Sequence, residues 1–147
     1  MVDGLVGSEM CIRDRRKAAS EIYVTGSFWC NATSMAASLK TLSIMEERDV
    51  VAHISGLGNK LRSGIDQIAS NYGVDISQSG PSQMPMVLFK NDKDFAKGSK
   101  FVQYLLNQGV YFHPWHNMFL SFAHTAQDVD IALDAVEYAM KKISTDF

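Results

Sequence analysis

Cysteine is scarce in this sequence. Only Cys11 and Cys30 occur among 147 residues, which excludes a disulfide scaffold and makes a reducing, cytoplasmic compartment the expectation. Proline is scarce too, with three residues, so no proline-rich linker divides the chain. Neither sign of charge dominates: 14 Lys and Arg stand against 16 Asp and Glu, a net charge of -2. Without a basic excess, neither a nucleic acid nor an anionic membrane is expected as the main partner. No apolar run is long enough to span a bilayer. Internal repeats and low-complexity tracts are also missing. What remains is 46% hydrophobic and 20% charged residues, enough apolar material for the core of one ordinary domain.

Residues 1–15, MVDGLVGSEMCIRDR, do not match the remainder. They carry neither a helical nor a strand period. Asp3, Glu9, Arg13, Asp14 and Arg15 break up any signal-peptide apolar region. From Leu5 onward the stretch resembles one reading frame of a transposase-type sequencing adapter. The adapter codons match each residue from Leu5 to Asp14, and a codon beginning ag fits Arg15. We therefore read residues 1–15 as a non-native scar, the alternative being a natural disordered tail, and set them aside. On this reading the natural N-terminus is missing, and the chain is expected to be the C-terminal piece of something longer.

From Arg16 the chain shows regular patterning. Ile22–Phe28 is β-prone and contains Gly26, so an extended segment leading into a loop is expected. Asn31 is placed to cap a helix over Ala32–Glu47, a stretch rich in Ala, Met and Leu. Val50, Ile54, Leu57, Leu61, Ile65, Ile68 and Tyr72 then form a one-face helical stripe, with Gly73 placed to end it. Val74–Ser79 and Met84–Phe89 read as strands around the Gly80-Pro81 turn. Asp92–Gln108 reads as a helix with Phe95, Val102, Leu105 and Leu106 inward and Gly109 beyond its end. Val110–Phe112 and Phe119–Ala123 read as further strands flanking a loop, His113–Asn117. Thr125 and Asp128 have capping-box spacing ahead of a last helix, whose stripe is Val129, Leu133, Val136, Met140 and Ile143. The order is two long helices, then β-β-α-β-β-α. It predicts an α+β layer with helices on one face of a mainly antiparallel sheet.

Few residues stand out as chemistry. Gly26 and Ser27 lie in a loop ahead of a helix, where backbone N–H groups and a hydroxyl can hold a phosphate. The same pair is also an ordinary turn composition, and both readings stand at this point. His113, His116 and His124 invite a metal reading. However, His113 and His116 span a proline and have no acidic or cysteine ligand nearby, whereas zinc needs three or four convergent ligands. Cys30, in an Ala/Ser context with no cation nearby, reads as a small buried residue rather than a nucleophile. The aromatic residues, Trp29 and Trp115 included, read as core or interface. Glu46–Asp49 reads as a solvated helix end. No lysine sits in a setting that would desolvate it for imine chemistry.

Two blocks then carry a resemblance. YVTGSFWCNATSMAASLKTL, Tyr23 to Leu42, resembles the segment after the cofactor lysine in class III pyridoxal-phosphate-dependent aminotransferases, nearest the glutamate-1-semialdehyde 2,1-aminomutase branch. Tyr23, Gly26, Asn31 and Ala37 match that block, and Ser27 replaces its usual threonine. GVYFHPWHNMFLSFAHTAQDVDIAL, Gly109 to Leu133, is similar to the family's C-terminal pattern through Gly109, Tyr111, Pro114, Ser121, Ala123, His124, Thr125, Asp128 and Asp130. The resemblance covers essentially all of residues 16–147.

The resemblance implies a fold-type I aminotransferase, α/β overall, which is an obligate homodimer. Residues 16–48 would be the end of the large cofactor-binding domain plus a connecting helix. Residues 49–147 would be the small α+β domain. Gly26 and Ser27 would hold the phosphate of pyridoxal 5'-phosphate across the dimer interface. The substrate would be a small amino, keto or aldehyde compound. The family's Schiff-base lysine has no counterpart in this chain, because the neighbours of Lys17 do not match it. No catalytic residue is therefore assigned, no metal is expected, and the isolated chain is expected to be inactive, with exposed cofactor-facing and dimer-facing apolar surfaces. Two other readings stay open: a non-catalytic α+β binding or interaction module, and a non-haem metal protein using the three histidines.

Overall fold

A computed structural model describes residues 31–147. The chain divides into two compact units, Met1–Leu42 and Ser43–Phe147. The expected extended segment at residues 22–28, and with it Gly26, Ser27 and Cys30, lies outside the described residues.

Helix α1, Ala32–Glu47, begins where the sequence places it. Asn31 Oδ1 accepts the Thr33 N–H at 2.9 Å, the expected cap. The helix buries none of its residues, and Met35, Leu39, Leu42 and Met45 are exposed along it. Its sequence favours a helix locally through the propensity of Ala, Leu, Met and Lys.

Helix α2, Val50–Asn71, starts at Asp49, whose carboxylate accepts the Ala52 N–H at 3.2 Å. Residue 49 is thus a cap, not only a solvated end. The predicted stripe turns inward: Leu57, Leu61 and Ile65 are buried together with Ala69. The helix ends in a Schellman motif. Gly73 N–H donates to Ser70 O and Val74 N–H to Ala69 O, with Gly73 at φ +66°, a backbone state that favours glycine.

Strands β1, Ile76–Ser79, and β2, Met86–Phe89, form an antiparallel pair with Ile76 opposite Phe89 and Ser79 opposite Met86. Val87 and Phe89 face the core. The connection between the strands is held against α2. Arg62 Nη1 donates to Gly80 O at 2.7 Å, and Gln78 Nε2 donates to Arg62 O at 2.8 Å.

Helix α3, Ala96–Leu106, starts four residues later than the pattern suggests. Asp92 lies outside the helix and caps it from there: its carboxylate oxygens accept the N–H groups of Lys97 at 3.0 Å and Gly98 at 2.8 Å. The inward face differs from the pattern because Phe95 falls outside the helix at φ +57°, and Leu106 stands about 100° round from Leu105 on the helix flank. Phe101, Val102 and Leu105 are buried, while Phe95 and Leu106 are exposed.

The two remaining predicted strands do not form, and the sheet among the described residues has two strands. Met118 N–H donates to Pro85 O at 2.8 Å and Leu120 N–H to Gln83 O at 2.9 Å. Pro85 has no N–H to return, so these two bonds do not extend into a ladder. A turn closed by His124 N–H to Ser121 O, 3.1 Å, then interrupts the predicted strand Phe119–Ala123. Val110–Phe112 forms no strand, though Phe112 is buried.

Helix α4, Ala126–Asp146, opens with the predicted capping box. Thr125 Oγ1 accepts the Asp128 N–H, and Asp128 accepts the Thr125 N–H at 2.7 Å. Val129, Val136, Met140 and Ile143 are buried as the stripe predicts, and Leu133 is partly buried against them. Helix α4 packs on both α2 and α3. These residues form one core within residues 43–147. A fully buried Leu, Ile, Val or Phe contributes about 1.5–3 kcal/mol, so this unit is held by packing.

Candidate functional site

Of the residues singled out from sequence, Gly26 and Ser27 lie outside the described residues. The second matching block, Gly109 to Leu133, is fully described and forms most of a cleft of about 340 Å³. Three elements make it. The run Gly109–Phe112 follows α3 through a turn with Gly109 at φ +77°, fixed by Val110 N–H to Leu105 O and Gly109 N–H to Leu106 O. The run Met118–Leu120 forms a second side, tied to the β1–β2 connection through Pro85 and Gln83. The first turns of α4 form the third, with Asp128, Val129, Ile131 and Ala132.

The lining side chains are apolar apart from His124, Asp128 and the hydroxyl of Tyr111. Tyr111 and Phe119, each 62% exposed, and Ile131, 50% exposed, stand at its rim. Its size and apolar walls suit a small molecule or a covering segment.

Asp128 is held as a carboxylate. Its side-chain hydrogen bond from Thr125 and then the Thr125 backbone N–H keep its pKa below the usual aspartate value. A hydrogen bond to the charged form favours that form. Helix α4 gains as well, because a negative charge in its first turn complements the helix dipole.

His124 is pinned on both sides. Its ring Nδ1 lies 2.9 Å from the Ser121 N and 3.2 Å from Ser121 Oγ. Its carbonyl accepts from His53 Nε2 of α2 at 3.0 Å. The His53 ring packs edge-on to Phe122 at 5.0 Å, and Arg48 lies over the same ring at 5.9 Å. His53 carries no signal in the sequence, since it lies 71 residues from His124 on the exposed side of an amphipathic helix.

His113 and His116 belong to a different cluster. Their ring centroids are 5.5 Å apart, and His113 packs on Trp115 at 5.1 Å and Tyr111 at 6.5 Å. Trp115 also touches Phe95. The three histidines do not converge, and among the described residues no group of three His, Cys, Asp or Glu side chains is placed to hold a metal. Asp130, part of the matching motif, pairs with Lys60 of α2, and Lys60 also donates to Ala126 O at 3.3 Å. This link fixes the start of α4 on α2.

No family model matches the chain. Its homologues, however, are class III pyridoxal-phosphate-dependent aminotransferases, and its fold is that of the corresponding part of fold-type I transaminases. The chain is 40% identical over 146 residues, 99% of its length, to the aminopentol aminotransferase of Sphingopyxis macrogoltabida. It is 31% identical over 149 aligned residues to the glutamate-1-semialdehyde 2,1-aminomutase of Methanothrix thermoacetophila. It spans 34% of the length of each of these relatives. Among solved structures it matches the FumI protein of Sphingopyxis sp. MTA144, in its pyridoxal-phosphate internal-aldimine form. The TM-score is 0.84 and the identity 42%, covering 90% of this chain and 32% of that one. An omega-transaminase of Sphaerobacter thermophilus shares the fold at a TM-score of 0.74 and 18% identity, over 93% of this chain and 34% of that one.

Proposed function

We propose that this chain is the C-terminal part of an enzyme that transfers an amino group with pyridoxal 5'-phosphate. The observation that carries this reading is the 40% identity to an aminotransferase over 99% of the chain. The 0.84 TM-score to a pyridoxal-phosphate protein supports it. Residues 16–48 end the cofactor-binding domain and lead out through α1, and residues 49–147 make the small domain. The exposed stripe of Met35, Leu39, Leu42 and Met45 on α1 suits a helix that other parts of a homodimer cover. The alignment to the aminopentol relative extends into residues 1–15. The adapter match over Leu5–Arg15 supports a scar there.

Gly26 and Ser27 donate hydrogen bonds to the cofactor phosphate in this reading. Backbone N–H groups and a hydroxyl just ahead of a capped helix N-terminus are a donor set that fits a phosphate dianion. When bound, pyridoxal phosphate supplies the carbonyl and the electron-withdrawing ring that amino transfer needs. The cleft beside His124 and Asp128 lies in the small domain and is one wall available to an amino, keto or aldehyde substrate. No lysine of this chain matches the one that links the cofactor, so the chain alone does not turn over. A reducing, cytoplasmic setting accompanies this reading, because cysteine is limited to Cys11 and Cys30. No helix among the described residues is long and apolar enough to cross a membrane.

Borohydride trapping on the full 147-residue chain with pyridoxal phosphate tests the assignment of roles. The expected result is no saturable adduct at a single lysine. A stoichiometric adduct at one lysine would place the linking residue in this chain and overturn the assignment.

One observation favours a second reading, a non-catalytic binding module: residues 43–147 form a compact unit with its own core. Under that reading the chain is a cooperative monomer with no pyridoxal-phosphate enzyme encoded upstream in the same frame.

A further inference from the structure

We propose that His124 is a proton-operated latch on the loop that walls the cleft, holding residues 118–124 when neutral and releasing the Ser121 amide when protonated. This inference does not depend on the amino-transfer reading.

Donor and acceptor chemistry sets the state of the ring. The Ser121 N–H donates to His124 Nδ1 at 2.9 Å. A ring nitrogen that accepts carries no proton, so the ring is neutral with its proton on Nε2. The turn is thus closed twice, once by His124 N–H to Ser121 O and once by Ser121 N–H to the ring. Protonation places a hydrogen on Nδ1, facing the Ser121 N–H. Two donors then meet, and the ring's share of the closure is lost. The Ser121 hydroxyl, 3.2 Å from Nδ1, is the acceptor at hand for the new N–H. The bond therefore passes from main chain to side chain, and the Ser121 amide is freed.

The strain falls on the wall of the cleft. Met118, Phe119 and Leu120 immediately precede Ser121, and with His124 they line the cleft. Two amide bonds, to Pro85 O and Gln83 O, hold this run to the rest of the unit. The run has no ladder to resist a change at its end.

Several charged or titratable groups lie on the elements around the latch. Asp128 on α4 senses the ring charge. Lys60 and Asp130 bridge α2 to α4. Arg48 lies over Phe122. His53 donates through Nε2 to the His124 carbonyl. A protonated His53 still donates through that nitrogen, so its titration leaves this bond intact, and the switch belongs to His124.

The test is an NMR titration of the full 147-residue chain, labelled with 15N throughout, between about pH 5 and 8. At high pH the His124 ring nitrogens should show Nδ1 unprotonated. On acidification the Ser121 amide should shift in step with the ring. After correction for intrinsic rates, the Met118 and Leu120 amides should exchange roughly five- to tenfold faster, as expected when the neighbouring Ser121 amide loses its partner and the run loosens at that end. His124→Asn keeps a carbonyl acceptor that does not titrate, so these amides should become independent of pH over that range. His53→Gln should leave the wild-type transition in place. Three wild-type results would overturn the proposal, whether or not a variant folds. They are a proton on Nδ1 in the neutral ring, a His124 ring that stays uncharged wherever the fold persists, and a ring that titrates while Ser121, Met118 and Leu120 do not respond.

Discussion

Gly58 of α2 lies directly against the Ser82 carbonyl: a Cβ at position 58 would stand 2.0 Å from that oxygen. The helix and the β1–β2 connection meet backbone to backbone there, and no flexible side chain can yield. Gly58→Ala should therefore destabilise residues 43–147 by roughly 1–3 kcal/mol, the usual cost of overpacking. Gly56 sits in the same helix, and a Cβ added there would meet nothing within 4 Å. Gly56→Ala should stabilise by about 0.5–1 kcal/mol through helix propensity. Thermal unfolding of the two variants checks both signs. Equal behaviour would mean that the close approach at Ser82 is not made.

The capping box makes a prediction with a pH signature. Thr125→Ala removes the hydroxyl that caps α4 and should cost about 1 kcal/mol near neutral pH. The sign follows from Asp128. Its folded pKa is lowered, chiefly by the Thr125 side chain. Its contribution is thus present above the unfolded aspartate value and lost as pH falls through the lower folded value. The stability gap between wild type and Thr125→Ala, measured by urea unfolding at several pH values, should narrow on acidification. A gap that is constant through the carboxylate range would contradict the box.

Tyr104 gives the opposite sign. Its hydroxyl donates to Asp146, and this bond, then desolvation, then the carboxylate charge raise the phenol pKa above its usual value. A raised folded pKa contributes stability that is present below the unfolded tyrosine value and lost as pH rises through the folded one. Absorbance titration at alkaline pH should find two tyrosines, Tyr72 and Tyr104, ionising late, and Asp146→Asn should bring Tyr104 earlier while leaving Tyr72 in place. No change in that variant would rule out the bond.

Much of this fold is legible in the sequence because the signals are local. The stripes of α2 and α4, the Asn31 cap, the Thr125 and Asp128 box, and Gly73 and Gly109 all act within a turn or two of their own positions. Other features depend on distant partners. The predicted strands at 110–112 and 119–123 have suitable residues, but the neighbouring Pro85 cannot return a hydrogen bond, and the His124 turn cuts the second one short. A helix starting at Asp92 would carry Phe95 and Leu106 inward. The Asp92 cap moves that start to Ala96 and leaves Phe95 outside the helix at φ +57°, while Leu106 is exposed because it stands about 100° round from Leu105. The contact of His53 with His124 spans 71 residues and has no periodic trace. Gly26 and Ser27 are legible only as a weak phosphate loop, and the resemblance to a known family supplies their proposed role.

The central claim is that these residues serve an amino-transferring enzyme in which Gly26 and Ser27 hold the cofactor phosphate. The most direct measurement is the apparent Kd for pyridoxal phosphate of the enzyme encoded by the uninterrupted gene, compared with its Ser27→Ala variant, alongside amino transfer from an amine donor. The expected result is transfer that requires pyridoxal phosphate, and a Kd raised about tenfold or more in Ser27→Ala through loss of a hydrogen bond to a charged group. Transfer without pyridoxal phosphate, no transfer at all, or an unchanged Kd in Ser27→Ala would contradict it.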